Sequence, residues 1–225
     1  MRIIFVRHGQ TVYNNESRYQ GHTDAALSDL GRKQADRVAE RLKNTRLAAV
    51  YSSDLSRAKD TADAIASLHG LRVEVDTDLR ECSFGEWEGL TVTEIRERFP
   101  KEYANYRQDS VRYRAPGGER LEDLQARVVR AVNRIAERHP DDTVVIATHG
   151  GPIRAFFCHA LGTELATFRK LHLDNAGITV LSTKNGLWSL ELLNDTCHLG
   201  SLESSNNQHD ETLAAVGPLD IDKHQ

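Results

Sequence analysis

No apolar run in this sequence approaches the roughly 20 residues that cross a bilayer. The N-terminus lacks the basic stretch, apolar core and cleavage site of a secretory signal. A cytoplasmic location with no membrane partner is therefore expected. Cysteine is scarce. Cys82, Cys158 and Cys197 are odd in number and widely scattered, so free thiols in a reducing compartment explain them better than a disulfide framework. None pairs with another at a zinc-type spacing. Excess positive charge is also missing: the formal net charge is −4, which argues against a surface built to coat nucleic acid. Any positive field must be local. Several catalytic signatures are absent too. There is no Gly-x-x-x-x-Gly-Lys-Ser/Thr phosphate loop, no Gly-x-Ser-x-Gly nucleophile elbow and no His-Glu-x-x-His. Cys82 runs into Ser83-Phe84-Gly85-Glu86-Trp87-Glu88-Gly89 without the arginine that a cysteine-based phosphatase needs. No internal repeat is visible.

What remains is a chain of 225 residues, 28% charged and 39% hydrophobic, enough for one generous domain with a substantial core. It is organised around Ile3-Ile4-Phe5-Val6-Arg7-His8-Gly9-Gln10-Thr11, an apolar strand that ends abruptly in a cation, an imidazole and a glycine. Val12 to Ala26 is polar and aperiodic, and reads as a loop. Ser28 caps a helix running to about Lys43. Leu47 to Tyr51 is a second strand, followed by the capping cluster Ser52-Ser53-Asp54 and a helix that stops at Gly70. Leu71 to Val75 alternates as a third strand. Short helices are expected around Glu94 to Phe99 and Lys101 to Gln108, and a long amphipathic one over Leu121 to His139. Thr143 to Ala147 is a buried strand, and another helix starts near Pro152. Ile178 to Leu181 and Leu187 to Leu192 form a hairpin over Asn185-Gly186. Strands alternating with helices over short connections predict an α/β fold: a three-layer α/β/α arrangement, a mostly parallel central sheet with helices on both faces, and a small helical cap insertion. The expected boundaries are a domain over 1–199, with the cap at about 92–117, and a polar, weakly structured tail over 200–225.

Two strands end alike, Val6-Arg7-His8-Gly9 and Ala147-Thr148-His149-Gly150-Gly151. Taken alone, each is equally a basic surface turn. If both strands are central and parallel, the two imidazoles share one rim of the sheet, where open α/β sheets bind ligands. Gly9 would then let the backbone approach an anion. Arg57, three residues beyond Asp54, falls in the first turn of its helix and faces the same rim. Arg7 and Arg57 together can grip a phosphate through forked, charge-assisted hydrogen bonds, with helix N-termini adding backbone donors. Glu81 follows the third strand and can hold the leaving-group proton that phosphoryl transfer to an imidazole requires. With the competing chemistries missing, histidine remains as the nucleophile.

The ordered motifs resemble those of the histidine phosphatases, or phosphoglycerate mutase-like superfamily, over roughly Met1 to Leu199. The resemblance rests on Val6-Arg7-His8-Gly9-Gln10-Thr11 with Asn14, on Gln20-Gly21 with Asp24, and on Leu27-Ser28 with Gly31 and Gln34-Ala35. Further on it rests on Ser52-Ser53-Asp54-Leu55-Ser56-Arg57-Ala58, Leu79-Arg80-Glu81, Phe84-Gly85-Glu86-Trp87-Glu88-Gly89 and Thr148-His149-Gly150-Gly151. It implies that His8 attacks phosphorus and becomes a transient phosphohistidine, and that Glu81 is the acid and then the base. It also implies that Arg7, Arg57 and His149 hold the phosphoryl oxygens with Asn14 beside them. No metal or other cofactor is implied.

The same family contains mutases, which carry a tyrosine and then a lysine after the acid; Phe84 and Val92 stand at those positions here. They also carry a longer middle insertion with paired arginines, whereas this chain moves quickly from Phe99 to Pro116-Gly117-Gly118-Glu119. A metal-independent phosphomonoesterase acting on a small phosphorylated metabolite is expected, resembling broad-specificity and α-ribazole phosphatases. A mutase and an inactive phospholigand-binding protein are the alternatives. The cap side chains Tyr103, Tyr106, Arg107, Arg112, Tyr113 and Arg114 are candidates for contact with the substrate or for plain surface. Ala26 and Arg120 depart from the usual proline and serine, the second near the pocket mouth. The sequence assigns no oligomeric state.

Overall fold

The computed structural model describes residues 1–202. Its elements, in chain order, are β1 (Arg2–Arg7), α1 (Val12–Asn15), α2 (Asp29–Leu42), β2 (Ala49–Ser52), α3 (Ser56–His69) and β3 (Val73–Val75). These are followed by α4 (Val92–Arg98), α5 (Pro100–Gln108), α6 (Leu121–Arg138), β4 (Thr143–Thr148), α7 (Gly150–Ala160), β5 (Ile178–Lys184) and β6 (Leu187–Asp195). The strands form one sheet in the order β3-β2-β4-β1-β5-β6. β3, β2, β4 and β1 are parallel, while β5 runs antiparallel to β1 and the hairpin partner β6 antiparallel to β5. The mostly parallel α/β/α expectation holds, with the antiparallel hairpin at one edge.

Alternation along the central strands builds both layers. Ile3 and Phe5 of β1, with Val144 and Ile146 of β4, pack under α6 and α7. Their neighbours Ile4 and Val6, with Val145 and Ala147, pack under α2 and α3. These side chains are at most 2% exposed, and full burial of each valine, isoleucine and phenylalanine among them contributes about 1.5–3 kcal/mol. A third apolar cluster, Tyr19, Trp87, Val92, Ile95, Tyr103, Tyr106 and Ala115, ties α4 and α5 to the segment around Trp87.

Four local readings change. The loop after β1 contains a single helical turn, α1, closed by a reciprocal capping box between Thr11 and Asn14. A 3-10 stretch over Leu165–Lys170 had no periodic signal. Ser52-Ser53-Asp54 does not cap α3, whose Leu55 makes no side-chain cap bond. The cap comes instead from Asp24, which accepts from Ser56 N at 2.8 Å and Ser56 Oγ at 2.9 Å. The Gly9 amide is already engaged within the protein. It donates to Thr61 Oγ1 at 3.2 Å, and a Cβ on this residue would meet the Gly31 carbonyl oxygen at 2.3 Å, so what glycine permits is close packing against α2. The tail expected over 200–225 lies outside the described residues beyond Leu202; Gly200–Leu202 form a 3-10 turn. Cys82, Cys158 and Cys197 are free thiols. Among the described residues no helix is long and apolar enough to cross a membrane.

Candidate active site

Because β3, β2, β4 and β1 are neighbours and parallel, four consecutive carboxyl ends open on one rim. His8 follows β1, His149 follows β4, Arg57 begins the helix after β2, and Glu81 lies beyond β3. The β1–β4 register pairs Arg7 with Thr148, and His8 N extends the ladder to Thr148 O at 2.9 Å. The two imidazole centroids are therefore 5.1 Å apart, ring edge to ring face. Arg7, His8, Asn14, Arg57 and Glu81 all line one pocket of about 750 Å³, counting its open mouth.

His8 is 3% exposed. Its Nδ1 lies 2.7 Å from Gly9 O; a carbonyl only accepts, so the proton sits on Nδ1 and the Nε2 lone pair is left for chemistry. Burial, and then the charges of Arg57 and Arg7, hold its pKa well below the ordinary imidazole value. The ring is thus neutral at physiological pH. That is the state a nucleophile needs.

Arg57 is fully buried. Its Nη2 donates to Gly21 O at 2.7 Å, its Nη1 to Thr23 O at 3.0 Å and its Nε to His149 Nδ1 at 3.2 Å. A guanidinium has five N–H groups, so two remain for the pocket. Burial pulls its pKa down to about 10, which leaves it charged near neutrality. The carbonyls that aim it belong to a loop pinned by Glu88. That carboxylate accepts from the amides of His22 (3.0 Å), Thr23 (2.8 Å) and Phe84 (3.0 Å), and from the hydroxyls of Thr23 (2.9 Å) and Ser83 (3.2 Å). These bonds outweigh its burial and lower its pKa. Arg7 is anchored similarly, its Nη1 donating to Leu173 O.

His149 stands differently from the expectation. It is fully buried and lies behind the pocket wall rather than on it. Because Arg57 can only donate, Nδ1 is the acceptor and Nε2–H donates to Ser53 Oγ at 2.7 Å. Burial and the Arg57 charge keep this ring neutral as well. Asn14 gives its side-chain oxygen to Thr11 N (3.0 Å), Thr11 Oγ1 (3.0 Å) and Asn175 Nδ2 (3.2 Å), so it can offer the pocket only its amide N–H groups.

Glu81 is held at the N-terminus of α7. Gly151 N donates to its two oxygens at 3.1 and 3.2 Å, and Cys82 N donates to Oε1 at 2.8 Å. That helix end was expected to receive phosphate; it receives the acid instead. Arg127 fixes the supporting loop, donating to the carbonyls of Asp78 (2.8 Å), Arg80 (2.6 Å) and Glu81 (2.8 Å) and, with Nε and Nη2, to the Glu119 carboxylate (2.7 and 2.8 Å). Cys82 also lines the pocket, but burial pushes its thiol well above the ordinary range, so it is no thiolate nucleophile.

Of the six cap side chains singled out from sequence, only Tyr106 reaches the pocket. Tyr103 and Tyr106 pack on the Trp87 ring, with centroids 5.8 and 5.2 Å away. Arg120 precedes α6 without capping it and does not line the pocket. Ser110, Arg154, Phe168 and Arg169 do line it and were missed. Arg154 had a readable signal. Four residues beyond Gly150 on one helix, its side chain folds back over the helix start, with Cζ 3.6 Å from where a Gly150 Cβ would be. Among the described residues, no three His, Cys, Asp or Glu side chains gather as a metal site would need.

The model of the histidine phosphatase superfamily (branch 1) matches residues 3–196. Phosphoserine phosphatase 1 of Hydrogenobacter thermophilus is 34% identical over 200 residues, spanning 89% of this chain and 95% of that protein. The metal-independent phosphoserine phosphatase of Arabidopsis thaliana is 36% identical over 203 residues, spanning 89% of this chain and 84% of the relative. A solved structure of mycobacterial glucosyl-3-phosphoglycerate phosphatase in complex with VO3 superposes with a TM-score of 0.78 at 37% identity, covering 87% of this chain and 99% of that one.

Proposed function

This chain belongs to the histidine phosphatase superfamily (branch 1) and is a phosphoric monoester hydrolase of small phosphorylated metabolites, and we propose that it works through a phosphohistidine on His8, without a metal, in the cytoplasm. The observation that carries this reading is the neutral His8, its Nδ1–H donated to Gly9 O and its Nε2 lone pair left for chemistry, on the rim that holds Arg57 and Glu81.

In the first half-reaction, His8 Nε2 attacks phosphorus and the ester oxygen leaves with the proton of Glu81. Arg7 and the two remaining N–H groups of Arg57 take the charge on the non-bridging oxygens, where catalysis of phosphoryl transfer lies chiefly in positioning and electrostatic stabilisation. From behind the wall, His149 accepts the Arg57 Nε–H at Nδ1 and so keeps that guanidinium aimed at the phosphoryl oxygens. In the second half-reaction, water attacks the phosphohistidine. Glu81, now ionised, accepts a proton from that water, and inorganic phosphate and the protonated acid are regenerated. We take 1–199 as the catalytic domain and 92–117 as its cap. Asn14 acts as a further donor at the phosphate.

The test is hydrolysis of p-nitrophenyl phosphate in excess chelator, with alkaline-quench trapping of a base-stable, acid-labile phosphoryl enzyme. His8→Ala should abolish both while the protein stays folded by circular dichroism. Full activity in that variant, or activity that disappears with chelator and returns with a divalent ion, refutes the mechanism. Sustained interconversion of 2- and 3-phosphoglycerate without matching phosphate release would assign the chain to the mutases instead.

A further inference from the structure

The segment that leads into β5 reaches the nucleophile from behind. Leu173 O accepts from Arg7 Nη1, and Gly177 O accepts from Arg7 N at 3.2 Å. Between them, Ala176 N donates to the carbonyls of Arg7 (3.0 Å) and His8 (3.1 Å). The segment is itself braced: Asp174 N donates to Asn194 Oδ1 at 2.8 Å, and Asn194 Nδ2 returns a bond to Asp174 Oδ2 at 2.7 Å. Ala176 is fully buried with φ at +58°, a left-handed conformation that costs a residue bearing a Cβ free energy. Such strain persists only where the surroundings over-determine it.

One side chain of this segment goes further. Asn175 Nδ2 donates to His8 O at 3.1 Å and to Asn14 Oδ1 at 3.2 Å, across 167 and 161 residues. Asn14 lines the pocket and Asn175 does not. A carbonyl only accepts, so His8 O fixes which end of the Asn175 amide faces inward. That end presents N–H to Asn14, which answers with its oxygen and keeps its own N–H groups for the pocket. Because Ala176 N also holds His8 O, the backbone of the nucleophile keeps a donor without Asn175. Asn14 is more dependent. None of the four residues of α1 is buried, so packing alone does not set its side chain. Its oxygen has two other donors, Thr11 N and Thr11 Oγ1, each at 3.0 Å. That hydroxyl also faces Gln20 Oε1 at 2.9 Å, with a single proton for two acceptors.

We infer that Asn175 is a positioning residue for phosphoryl transfer: it locks the Asn14 amide with its oxygen inward, so that the Asn14 N–H groups stay aimed at the phosphoryl oxygens. This role rests on the phosphatase reading above, in which Asn14 is a donor at the phosphate, and sets a further residue behind that donor. A donor fixed before substrate arrives stabilises developing charge without reorganising. Without Asn175 the amide is free to rotate and turn its oxygen on the phosphate.

The test is a double-mutant cycle over Asn14→Ala and Asn175→Ala, read as kcat/KM on p-nitrophenyl phosphate. Asn14→Ala should lose about 30-fold, the scale of one hydrogen bond to a charged group, and Asn175→Ala about 10-fold. The double variant should lose no more than Asn14→Ala alone, because Asn175 then has nothing to aim. Multiplied losses, about 300-fold, overturn the role, since a residue that merely supported the Arg7 segment would matter whether or not Asn14 is present. An Asn175→Ala variant with the wild-type rate overturns it too. If Asn175→Ala does not fold, Asn175→Ser, too short to reach both oxygens, takes its place in the cycle. Calorimetric titration of inorganic phosphate into the same four proteins reads the coupling without turnover. Asn175→Ala should weaken phosphate by about 10-fold in the wild-type background and leave the affinity of Asn14→Ala unchanged. Equal weakening in both backgrounds overturns the role. Coupled phosphate binding without hydrolysis would instead remove the phosphatase reading and leave Asn175 as the residue that aims Asn14.

Discussion

Replacing Gly151 with alanine adds one methyl group where α7 meets the acid. An ideal Cβ at that position lies 2.1 Å from Glu81 Oε1 and 3.2 Å from its carboxyl carbon. Ordinary contact begins near ~3.5 Å, so the carboxylate must retreat by more than about 1 Å and give up its bonds from Gly151 N. A misplacement of that size costs about 100-fold in rate, within the roughly 100- to 10,000-fold that a general acid contributes. The helix does not suffer in itself, because alanine is favoured over glycine in helices by about 1 kcal/mol. The assay is kcat/KM on two esters, which reports on events up to transfer of phosphorus to His8. An alkyl phosphate needs the acid and should lose about 100-fold; p-nitrophenyl phosphate, whose leaving group departs without a proton, should lose less than about 5-fold. Glu81→Gln should show the same split. Equal losses on both esters would mean that the methyl group displaced the start of α7, and His149 with it, instead of the acid. Unchanged rates would mean that Glu81 is not the proton donor.

Glu88→Gln sets an amide where every neighbour is a donor; loosening the Gly21 and Thr23 carbonyls behind Arg57, it should lower kcat/KM by about 10- to 100-fold. Unlike Gly151→Ala, it should do so equally for alkyl and aryl esters, and a leaving-group split would refute the assignment. The two buried imidazoles predict acid destabilisation. His8 and His149 have folded pKa values below the ordinary 6.5, so below that pH the unfolded chain binds more protons. Their contribution is complete above pH 6.5 and falls as pH drops toward the folded values, by up to about 1.4 kcal/mol per pH unit for each ring. Urea midpoints at pH 7, 6 and 5 should decline, and His149→Asn should reduce the slope; a flat profile over that window contradicts neutral burial.

The parallel core was legible because its strands are buried on both faces. Ile3 to Val6 and Val144 to Ala147 read as unbroken apolar runs, and helices on each side follow once alternate residues are assigned to opposite layers. Ser28 capped α2 as its sequence suggested, accepting from Gly31 N at 3.0 Å. The misses have a common cause. Ser52-Ser53-Asp54 is a helix-start signature by local chemistry, but the site takes two of its members: Ser53 accepts from His149, and Asp54 receives Arg80 Nε at 2.7 Å. The cap of α3 then has to come from Asp24, 32 residues upstream. No local pattern announces that.

The same displacement explains why arginines dominate the pocket. Sequence reasoning gave the anion Gly9 and the helix N-termini, the backbone donors that phosphate sites commonly use. Here Gly9 N is taken by Thr61 Oγ1 and Gly151 N by Glu81, so the phosphate charge falls to side chains. Arginine can supply it, but a flexible side chain stabilises a transition state only if its orientation is fixed beforehand. Three of the guanidinium groups are fixed by backbone carbonyls distant in sequence: Arg57 by Gly21 across 36 residues, Arg7 by Leu173 across 166, and Arg169 by Arg107 across 62. The identities of the charged groups were therefore open to a reading of motifs at the strand ends. Their aim is a property of loop packing, and so Arg169, outside every strand-end motif, came into view only with the fold.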